Sequence, residues 1–351
     1  MQHSYPIKVK EVRQETQDCV SIAFDIPAEL KELFDYKPGQ YINLIKTLDG
    51  QELHRSYSLC SSPDESEWRV AIKLLNGGIF STWANKVLKS GEILDLMPPN
   101  GKFTTDISPS KSYLFIAVGS GITPCISLIK SILLESDSRI ILIYGSKSID
   151  QIIFLEELLG LKNKYMERLA LYFVLSRESM EEELFYGRIS AEKITAFNGK
   201  IFDPKLLDEV FICGPEEMIF QTKDALVSTG VPETIIKFEL FGTHGLPIPK
   251  TEVIEGVGEK VKVQLKADGR TIQFDMSKGM DNILDAALKN NARLPYACKG
   301  GVCCTCKAKL IKGEVVLLRN YGLEPEEIDA GYILTCQAIP KTDTIQVDFD
   351  Q

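Results

Sequence analysis

Histidine is scarce in this chain, which has three among its 351 residues. His3, His54 and His244 are too scattered to suggest the clustered histidine ligands of a non-haem iron centre. Basic residues are also outnumbered, because 40 Lys and Arg face 49 Asp and Glu, for a net charge of −9. This balance argues against nucleic acid as a partner. The sequence also has no internal repeat and no low-complexity tract.

Long hydrophobic runs are missing as well. The most apolar stretch, residues 113–134, is interrupted by Gly119, Gly121, Pro124 and Lys130. A strand, a turn and a buried helix therefore fit it better than a membrane span. The N-terminal segment lacks the basic residues followed by an apolar run that mark a signal peptide. We therefore expect a cytoplasmic protein that does not cross a membrane.

Cysteine, in contrast, is frequent, with nine residues. An odd number in a chain without an export signal argues against a disulfide framework and for thiols that act as ligands or reactive groups. Four of them fall within one stretch of nine residues: Cys298, Cys303, Cys304 and Cys306.

Three of these cysteines, Cys298, Cys303 and Cys306, have the spacing C-x4-C-x2-C, and Cys336 follows 30 residues later. This is the ligand spacing of plant-type 2Fe–2S clusters, in which two irons need four thiolates. Structural zinc is the alternative, but it usually takes two C-x2-C pairs and the segment has one. We assign Cys304 as a bystander, because its use in place of Cys303 would change the spacing.

The same segment contains Gly300-Gly301, which can adopt positive φ and turn backbone N–H groups toward the sulfurs. Around it, residues 294–298 (Leu-Pro-Tyr-Ala-Cys) and 334–338 (Leu-Thr-Cys-Gln-Ala) resemble the two ligand segments of plant-type ferredoxins. The resemblance covers residues 260–351 and implies a β-grasp-like α+β domain. Near its start, Asp268-Gly269 between apolar segments at 261–267 and 271–274 predicts a β-hairpin.

Two other patterns precede this segment. Six short strands separated by turn residues favour a small antiparallel β-barrel; they are predicted at 7–12, 20–25, 41–46, 55–60, 68–75 and 93–97. From residue 110, nearly continuous apolar strands alternate with helical patterns, which favours a parallel, doubly wound α/β domain. Its strands are predicted at 113–118, 140–144, 170–175 and 210–213, and its helices at 154–164 and 216–228.

The first motif of the barrel is Arg55-Ser56-Tyr57-Ser58, at the end of a predicted strand. An arginine can bind a phosphate and a tyrosine can stack on a flat ring. Alone, the motif is better explained by an edge strand with an exposed arginine. Downstream, Lys73, Gly78 and Ser81 precede or open a helix, and small residues with a hydroxyl at a helix N-terminus form an anion site.

Together these elements resemble the flavin-binding barrel of the ferredoxin–NADP reductase superfamily. The resemblance implies that Arg55, Tyr57 and Ser58 hold the flavin, with Ser58 close to its reactive edge. It also implies that Gly78 and Ser81 hold a pyrophosphate, with Lys73 among the cofactor-binding residues. A pyrophosphate implies FAD, and FMN is the alternative.

The first motif of the α/β domain is the segment Gly119-Ser120-Gly121-Ile122-Thr123-Pro124, between a strand and a helix. We expect Thr123 to cap the helix and Pro124 to be its first residue. The second motif, Cys213-Gly214-Pro215, ends a later strand. Parallel topology places both turns at one sheet edge, where such folds bind ligands. Many other βα turns look similar, and a buried apolar cysteine is the alternative for Cys213.

Both turns resemble the nicotinamide half-site of the same superfamily, which implies that Cys213 faces the carbon that carries the hydride. By the same resemblance, Phe241 lies near the flavin, and we assign proton handling to Glu239. Ser176-Arg177 resembles the pair that binds the 2′-phosphate of NADP. Glutamates at 181–183 follow, and no second basic residue is present in that segment. We expect NADPH, with NADH as the alternative.

Across its full length the chain resembles the reductase components of bacterial multicomponent oxygenases, and most of all those of ring-1,2-phenylacetyl-CoA epoxidases. The matching segments are 296–303, 320–327, 330–336 and 347–350. The resemblance implies electron flow from NAD(P)H through FAD and a 2Fe–2S cluster to oxygenase or epoxidase subunits, in phenylacetate catabolism. A general NAD(P)H–ferredoxin-type reductase, the reductase of another oxygenase and a redox sensor are the alternatives.

This interpretation predicts four segments. Residues 1–105 form the flavin-binding β-barrel and 106–243 form the NAD(P)-binding α/β domain. Residues 244–259 form a linker, and 260–351 form the plant-type 2Fe–2S ferredoxin domain.

Overall fold

The computed structural model describes residues 3–241 and 256–351. They divide into two compact units, one that contains most of residues 4–240 and one that contains residues 256–351. Most of the predicted linker, residues 244–255, lies outside the described residues, and 256–258 form a turn. None of the described helices combines the length and the apolar character that crossing a bilayer requires.

The first unit begins with a six-stranded antiparallel sheet, in the order β4-β3-β6-β1-β2-β5. A bridge between Leu59, which directly follows β4, and Val70 of β5 joins the two edge strands and closes the sheet. The prediction of an antiparallel barrel is thus confirmed. Its elements are β1 (Tyr5–Thr16), β2 (Cys19–Asp25), β3 (Tyr41–Leu48), β4 (Gln51–Ser58), β5 (Trp68–Lys73), α1 (Ile79–Lys86) and β6 (Ile93–Asn100).

The rest of this unit is a five-stranded parallel sheet, in the order β11-β10-β7-β8-β9. The prediction of a doubly wound α/β domain is confirmed, and the structure adds the short strand β11. The elements are β7 (Ser112–Val118), α2 (Ile122–Glu135), β8 (Arg139–Ser146), α3 (Leu155–Lys164), β9 (Leu169–Leu175), α4 (Ala191–Phe197), β10 (Glu209–Cys213), α5 (Glu216–Ser228) and β11 (Ile236–Glu239).

The direction of strand progression reverses between β7 and β10. From β7 the chain proceeds to β8 and β9 on one side, and then returns to β10 and β11 on the other. In open parallel sheets, ligands bind at the carboxyl ends of the strands at such a reversal. The turns that follow β7 and β10 are the two nucleotide motifs predicted from the sequence.

The barrel and the α/β sheet share one hydrophobic core. Cys19, Cys60 and Ala71 of the barrel lie in the same buried cluster as β7, β8, β10 and α2. Strand β2 is covered on both faces, because six of its seven residues are buried. In a strand covered on one face only, buried and exposed residues would alternate. Polar contacts add to the apolar ones.

Helix α2 carries those polar contacts. The hydroxyl of Ser127 donates to the carbonyl of Ser61 over 2.6 Å. The amine of Lys130 reaches Glu65 at 3.0 Å and Glu157 at 2.6 Å. Ser127 and Lys130 therefore hold helix α2 to Ser61 and Glu65, which lie between β4 and β5 of the barrel.

The second unit is an α+β fold with a five-stranded mixed sheet, in the order β13-β12-β18-β14-β16. Strands β12 and β18 pair in parallel, whereas the other pairs are antiparallel. Helix α6 buries Ile283, Leu284 and Ala287 in this unit's core. The elements are β12 (Lys260–Ala267), β13 (Arg270–Ser277), α6 (Ile283–Lys289), β14 (Lys307–Lys312), β15 (Val315–Leu317), α7 (Pro325–Asp329), β16 (Tyr332–Leu334), β17 (Ala338–Pro340) and β18 (Thr344–Asp348).

The first hairpin of this unit has the predicted turn. Asp268 and Gly269 both have positive φ, at 50° and 68°, as a two-residue hairpin turn requires. The carboxylate of Asp350 accepts hydrogen bonds from both of their backbone N–H groups, at 2.8 and 2.9 Å. The C-terminal residues therefore hold this turn, and the predicted β-grasp-like fold is confirmed.

Candidate functional site

The four predicted ligand cysteines lie together in the second unit as two hydrogen-bonded pairs. Cys298, Cys303 and Cys306 lie in the loop between α6 and β14, and Cys336 lies between β16 and β17. Cys298 pairs with Cys303, and Cys306 pairs with Cys336. Two irons that each take two thiolates fit two pairs.

Structural zinc usually takes two C-x2-C pairs, and this site supplies one such pair, Cys303 and Cys306. Cys303, Cys306 and Cys336 are buried, and Cys298 is half-buried, so these thiols line an enclosed site. The donor set fits a 2Fe–2S cluster better than structural zinc.

Backbone N–H groups point at the first ligand sulfur, as the glycine turn predicted. The N–H groups of Gly300 and Cys303 lie 3.3 and 3.4 Å from Cys298 Sγ. The thiol of Cys303 and then backbone donors lower the pKa of Cys298 to about 6. The site therefore favours a thiolate at Cys298, which is the form that binds iron.

The predicted positive φ falls only in part on the two glycines. Gly301 has φ of 77°, but Gly300 is not left-handed, and Lys299 and Cys304 take that conformation instead, at 50° and 52°. A side chain on Gly301 would lie 2.8 Å from the carbonyl oxygen of Arg319. The backbone at Arg319 therefore leaves room only for glycine at position 301. The thiol of Cys304 lies 3.9 Å from the carbonyl of Val302, and its assignment as a bystander stays a prediction.

Arg55, Tyr57 and Ser58 lie near the end of β4, and Gly78 and Ser81 lie at the start of α1. The ring of Tyr57 lies 5.8 Å from that of Phe80. Gly78 occupies the N-cap position of α1. The hydroxyl of Ser81 accepts from the N–H of Leu75 at 3.1 Å and lies 3.2 Å from the carbonyl of Gly78. Ser81 thus fixes the shape of the glycine turn at the helix start.

The two predicted basic residues of the flavin site differ in placement. Arg55 is exposed, and its guanidinium donates to the carbonyl of His54 at 2.7 Å. Lys73, in contrast, forms an ion pair with Asp18 at 3.5 Å. The geometry therefore leaves Arg55 open to a phosphate, whereas the Lys73 amine already has a carboxylate partner.

A hydrogen bond joins β4 to β11 at the point where the barrel meets the α/β sheet. The hydroxyl of Ser58 donates to Oε2 of Glu239 over 2.9 Å. Burial raises the pKa of Glu239 to about 8, and the Ser58 hydroxyl opposes this effect. The carboxyl group can therefore hold a proton at neutral pH. Phe241, two residues further, is 46% exposed.

The two nucleotide turns touch, as parallel topology predicted. A methyl group on Gly121 would collide with the carbonyl of Cys213 and would lie 2.8 Å from the nitrogen of Gly214. A methyl group on Gly214 would lie 3.0 Å from Cβ of Val118. Gly121 is thus required by close backbone packing, and Gly214 is confined by Val118 and by the end of the Met218 side chain. Pro215 follows as the N-cap of α5.

Cys213 is fully buried between these turns. Burial raises the pKa of its thiol well above the ordinary value, and Glu239 and then Cys125 add to the effect. Cys213 is therefore a neutral thiol and not a nucleophile. Cys125, on α2, shares this environment and was not singled out by the sequence, since a buried apolar position carries no motif.

The predicted cap of α2 is wrong by two residues. The helix begins at Ile122, after a 3₁₀ turn over Gly119–Gly121, and Gly121 occupies the N-cap. Thr123 lies inside the first turn, where its hydroxyl donates to the carbonyl of Ser120 at 3.0 Å. Pro124 is tolerated there because first-turn N–H groups have no partner within the helix.

Arg177 is exposed after β9, and its backbone N–H donates to the carbonyl of Lys147 at 2.8 Å. Lys147 follows β8, the neighbouring strand, and is also exposed. A second exposed basic residue therefore neighbours Arg177 through strand pairing. Because the two residues follow different strands, no local pattern revealed the pair.

Tyr144 is a further residue that the sequence did not indicate. Its hydroxyl, fully buried in β8, donates to the carbonyl of Gly119 at 2.9 Å and accepts from the N–H of Ile153 at 3.3 Å. The side chain therefore connects the first nucleotide turn, where Gly119 has φ of 57°, to the segment that precedes α3.

Three family models match the chain in succession. They are an oxidoreductase FAD-binding domain over residues 6–105, an oxidoreductase NAD-binding domain over 115–224 and a 2Fe–2S iron–sulfur cluster binding domain over 265–341. Their order is the order predicted from the motifs.

Several curated proteins are similar over nearly their whole length. A 1,2-phenylacetyl-CoA epoxidase component from Escherichia coli is 40% identical over 99% of this chain and 98% of its own. The ferredoxin reductase component of 3-ketosteroid-9-alpha-monooxygenase from Rhodococcus rhodochrous is 32% identical, over 98% and 96%. The glycine betaine monooxygenase reductase component of Pseudomonas aeruginosa is 28% identical, over 97% and 94%.

Solved structures agree on the fold. Phthalate dioxygenase reductase aligns over 99% of this chain and 98% of its own, with a TM-score of 0.61 and 21% identity. An intact type IV self-sufficient cytochrome P450 monooxygenase aligns over 98% of this chain and 41% of its own, with a TM-score of 0.70 and 21% identity.

The raised pKa of Glu239 predicts a pH dependence. Flavin reduction by NAD(P)H should slow as the pH rises through about 8, because Glu239 then ionises. Its carboxylate would repel the negative charge that hydride transfer brings to the flavin. Glu239→Gln should abolish this titration. Ser58→Ala should move it to higher pH, because the donor that is removed holds the pKa down. Stopped-flow flavin reduction across this pH range measures all three, and an unchanged profile in Glu239→Gln contradicts the assignment.

The Tyr144 hydrogen bond predicts an effect on nucleotide binding. Tyr144→Phe keeps the buried ring but releases the Gly119 carbonyl, and loss of one such bond should raise the KM for NAD(P)H about fivefold. Tyr113→Phe is the matched control, because Tyr113 is buried near the other end of β7. Equal KM shifts in both variants would show a general effect on packing.

The cysteine pairs, the flavin turn and the two touching nucleotide turns occur in one chain, and the family models and the full-length relatives assign the same three parts. The protein is an oxidoreductase that uses NAD(P)H, FAD and a 2Fe–2S cluster for electron transfer. It belongs to the family of iron–sulfur flavoprotein reductases that includes the reductase components of multicomponent oxygenases.

Proposed function

We propose that this reductase transfers electrons from NADPH to the oxygenase subunits of a phenylacetyl-CoA epoxidase. The observation that carries the proposal is the 40% identity to the 1,2-phenylacetyl-CoA epoxidase component, which extends over 99% of the chain. The two monooxygenase reductase components described above are 32% and 28% identical. A reductase of another oxygenase is the second candidate.

The residues of the chain supply binding and orientation. Bound FAD would supply the exchange between two-electron hydride chemistry and single-electron transfer, and a 2Fe–2S cluster held by the four cysteines would supply a single-electron carrier. We assign Arg55, Gly78 and Ser81 to the pyrophosphate of FAD, because an exposed guanidinium and a glycine turn at a helix start suit an anion. Tyr57 offers an aromatic face to the flavin ring.

The hydride-transfer centre combines Ser58, Glu239 and Cys213. Burial keeps the carboxyl group of Glu239 protonated, and the hydrogen bond from Ser58 holds this group beside the expected reactive edge. Cys213 stays uncharged, because burial raises its pKa. Its thiol can therefore lie against the nicotinamide without reacting as a nucleophile. We place Phe241 against the flavin on resemblance alone.

The phosphates of the nucleotide belong at the touching turns, next to Gly119, Gly121 and Gly214. Thr123 and Pro124 follow in the first turn of α2, and Pro215 caps α5. We propose NADPH over NADH, because Arg177 and Lys147 are two exposed cations on adjacent loops. Two cations suit the doubly charged 2′-phosphate.

We also propose the boundaries 1–105, 106–243, 244–259 and 260–351 for barrel, nucleotide domain, linker and ferredoxin domain, which the spans of the three family models support. A cytoplasmic location is supported by the cysteines, which are all free thiols in the described residues, as expected in a reducing compartment.

The cluster assignment predicts separable electron steps. Cys298→Ser should remove the visible absorption and EPR signal of the cluster and stop cytochrome c reduction, while flavin reduction by NADPH continues. Cys304→Ser is the matched control, and it should keep both signals because Cys304 is assigned as a bystander. Cluster loss in Cys304→Ser together with retention in Cys298→Ser would reverse the ligand assignment.

Reconstitution tests the partner. The purified reductase, combined with phenylacetyl-CoA epoxidase oxygenase subunits, NADPH and phenylacetyl-CoA, should yield the ring epoxide, whereas the oxygenase of a 3-ketosteroid-9-alpha-monooxygenase should give little product. Absence of epoxide from a reductase that still reduces ferricyanide would exclude this partner and leave the general activity intact. A failure to oxidise NADPH with ferricyanide would contradict the reductase activity itself.

A further inference from the structure

Gln337 is a buried polar residue directly after the last cluster ligand, and no motif of the sequence assigned it a role. It is 7% exposed. Its backbone is fixed on both sides, because its N–H donates to the carbonyl of Leu334 at 2.8 Å and its carbonyl accepts from the N–H of Leu318 at 2.9 Å. The side chain therefore leaves the backbone in a set direction.

The side-chain amide of Gln337 crosses from one ligand segment to the other. Its Nε2 donates to the carbonyl of Lys299 over 2.8 Å, and Lys299 directly follows the first ligand, Cys298. The same nitrogen lies 3.0 Å from the carbonyl of Cys336 and 3.9 Å from the sulfur of Cys336. One amide group thus contacts the segment of the first ligand and the last ligand itself.

The loop around the first ligand is shaped to receive this side chain. A methyl group on Gly301 would lie 3.1 Å from Cγ of Gln337, which is tighter than ordinary van der Waals contact. Lys299 has φ of 50°, and this left-handed conformation accompanies the carbonyl that accepts the Gln337 amide. Glycine at 301 and glutamine at 337 therefore fit each other.

We propose that Gln337 is a positioning residue of the 2Fe–2S centre, which ties the Cys336 segment to the Cys298 loop and makes the cluster easier to reduce. The inference rests on the cluster assignment. Reduction adds negative charge to the cluster, and Nε2, the positive end of the amide dipole, lies 3.9 Å from Cys336 Sγ, so the dipole stabilises the reduced state. Hydrogen bonds and dipoles at ligand sulfurs are known to set cluster potentials in this way.

Two substitutions test the proposal in the full-length holoprotein. Gln337→Leu removes the donor and keeps an apolar side chain. Gln337→Glu keeps the shape but replaces the amide dipole with a negative charge. Gln346→Leu is the matched control, because Gln346 lies in the same unit and its amide donates to Gln264 on the neighbouring strand at 3.3 Å.

The measurement is a dye-mediated redox titration followed by EPR, with iron content determined in parallel. We expect the midpoint potential to fall in Gln337→Leu and to fall further in Gln337→Glu. In Gln337→Leu the ratio of oxidised to reduced cluster at a fixed solution potential should rise about fivefold, as for the loss of one hydrogen bond. Gln346→Leu should titrate as the wild type does.

Loss of iron from both Gln337 variants, with full iron in Gln346→Leu, would support the tie between the ligand segments. Wild-type potentials with full iron content in both variants would overturn the proposal. Wild-type protein serves as the separate check on the proposed function, because an absent EPR signal there would contradict the cluster and not the role of Gln337.

Discussion

Close contact between the turn after β7 and the turn after β10 is the constraint on which the nucleotide side of this protein depends. Backbone atoms of Cys213 and Gly214 occupy the space that a side chain on Gly121 would need. The same packing places the Cys213 thiol out of solvent and near Glu239 and Cys125. A larger residue at either glycine would separate the turns and alter the burial that sets the protonation of these groups.

The cysteines show how environment decides the chemistry of one residue type. Among the turns of the α/β sheet, burial without donors raises the pKa of Cys213 and Cys125 and keeps them neutral. In the second unit, the Cys303 thiol and then backbone donors lower the pKa of Cys298, whereas hydrogen bonds to Cys298 and Cys336, and then burial, raise the pKa values of Cys303 and Cys306. Sequence spacing alone distinguished these groups, because ligand cysteines must cluster along the chain whereas core cysteines need not.

Much of the fold could be predicted because its signals are local. Continuous apolar strands revealed the parallel sheet, turn residues revealed the barrel, and the Asp268-Gly269 pair revealed a hairpin whose turn has the required dihedral angles. The cysteine segment was equally local. The start of α2 was misplaced, because a 3₁₀ turn leads directly into the helix and no side-chain cap is needed.

The contacts that the sequence did not reveal are those between distant segments. Ser58 and Glu239 are 181 residues apart, and Gln337 and Lys299 are 38 apart. Lys147 and Arg177 meet only because β8 and β9 are neighbours. Each of these pairs depends on strand order or loop packing, and a side-chain pattern along the chain carries no information about either.

The core shared by the barrel and the α/β sheet has a consequence for how such a chain can be divided. Cys19, Cys60 and Ala71 are covered by the α/β sheet and α2, so a cut between the barrel and the α/β sheet would expose apolar surface on both. The second unit has a hydrophobic core of its own. The flavin and nucleotide parts therefore have to be inherited together, whereas the iron–sulfur part is free to be exchanged between lineages as a separate module.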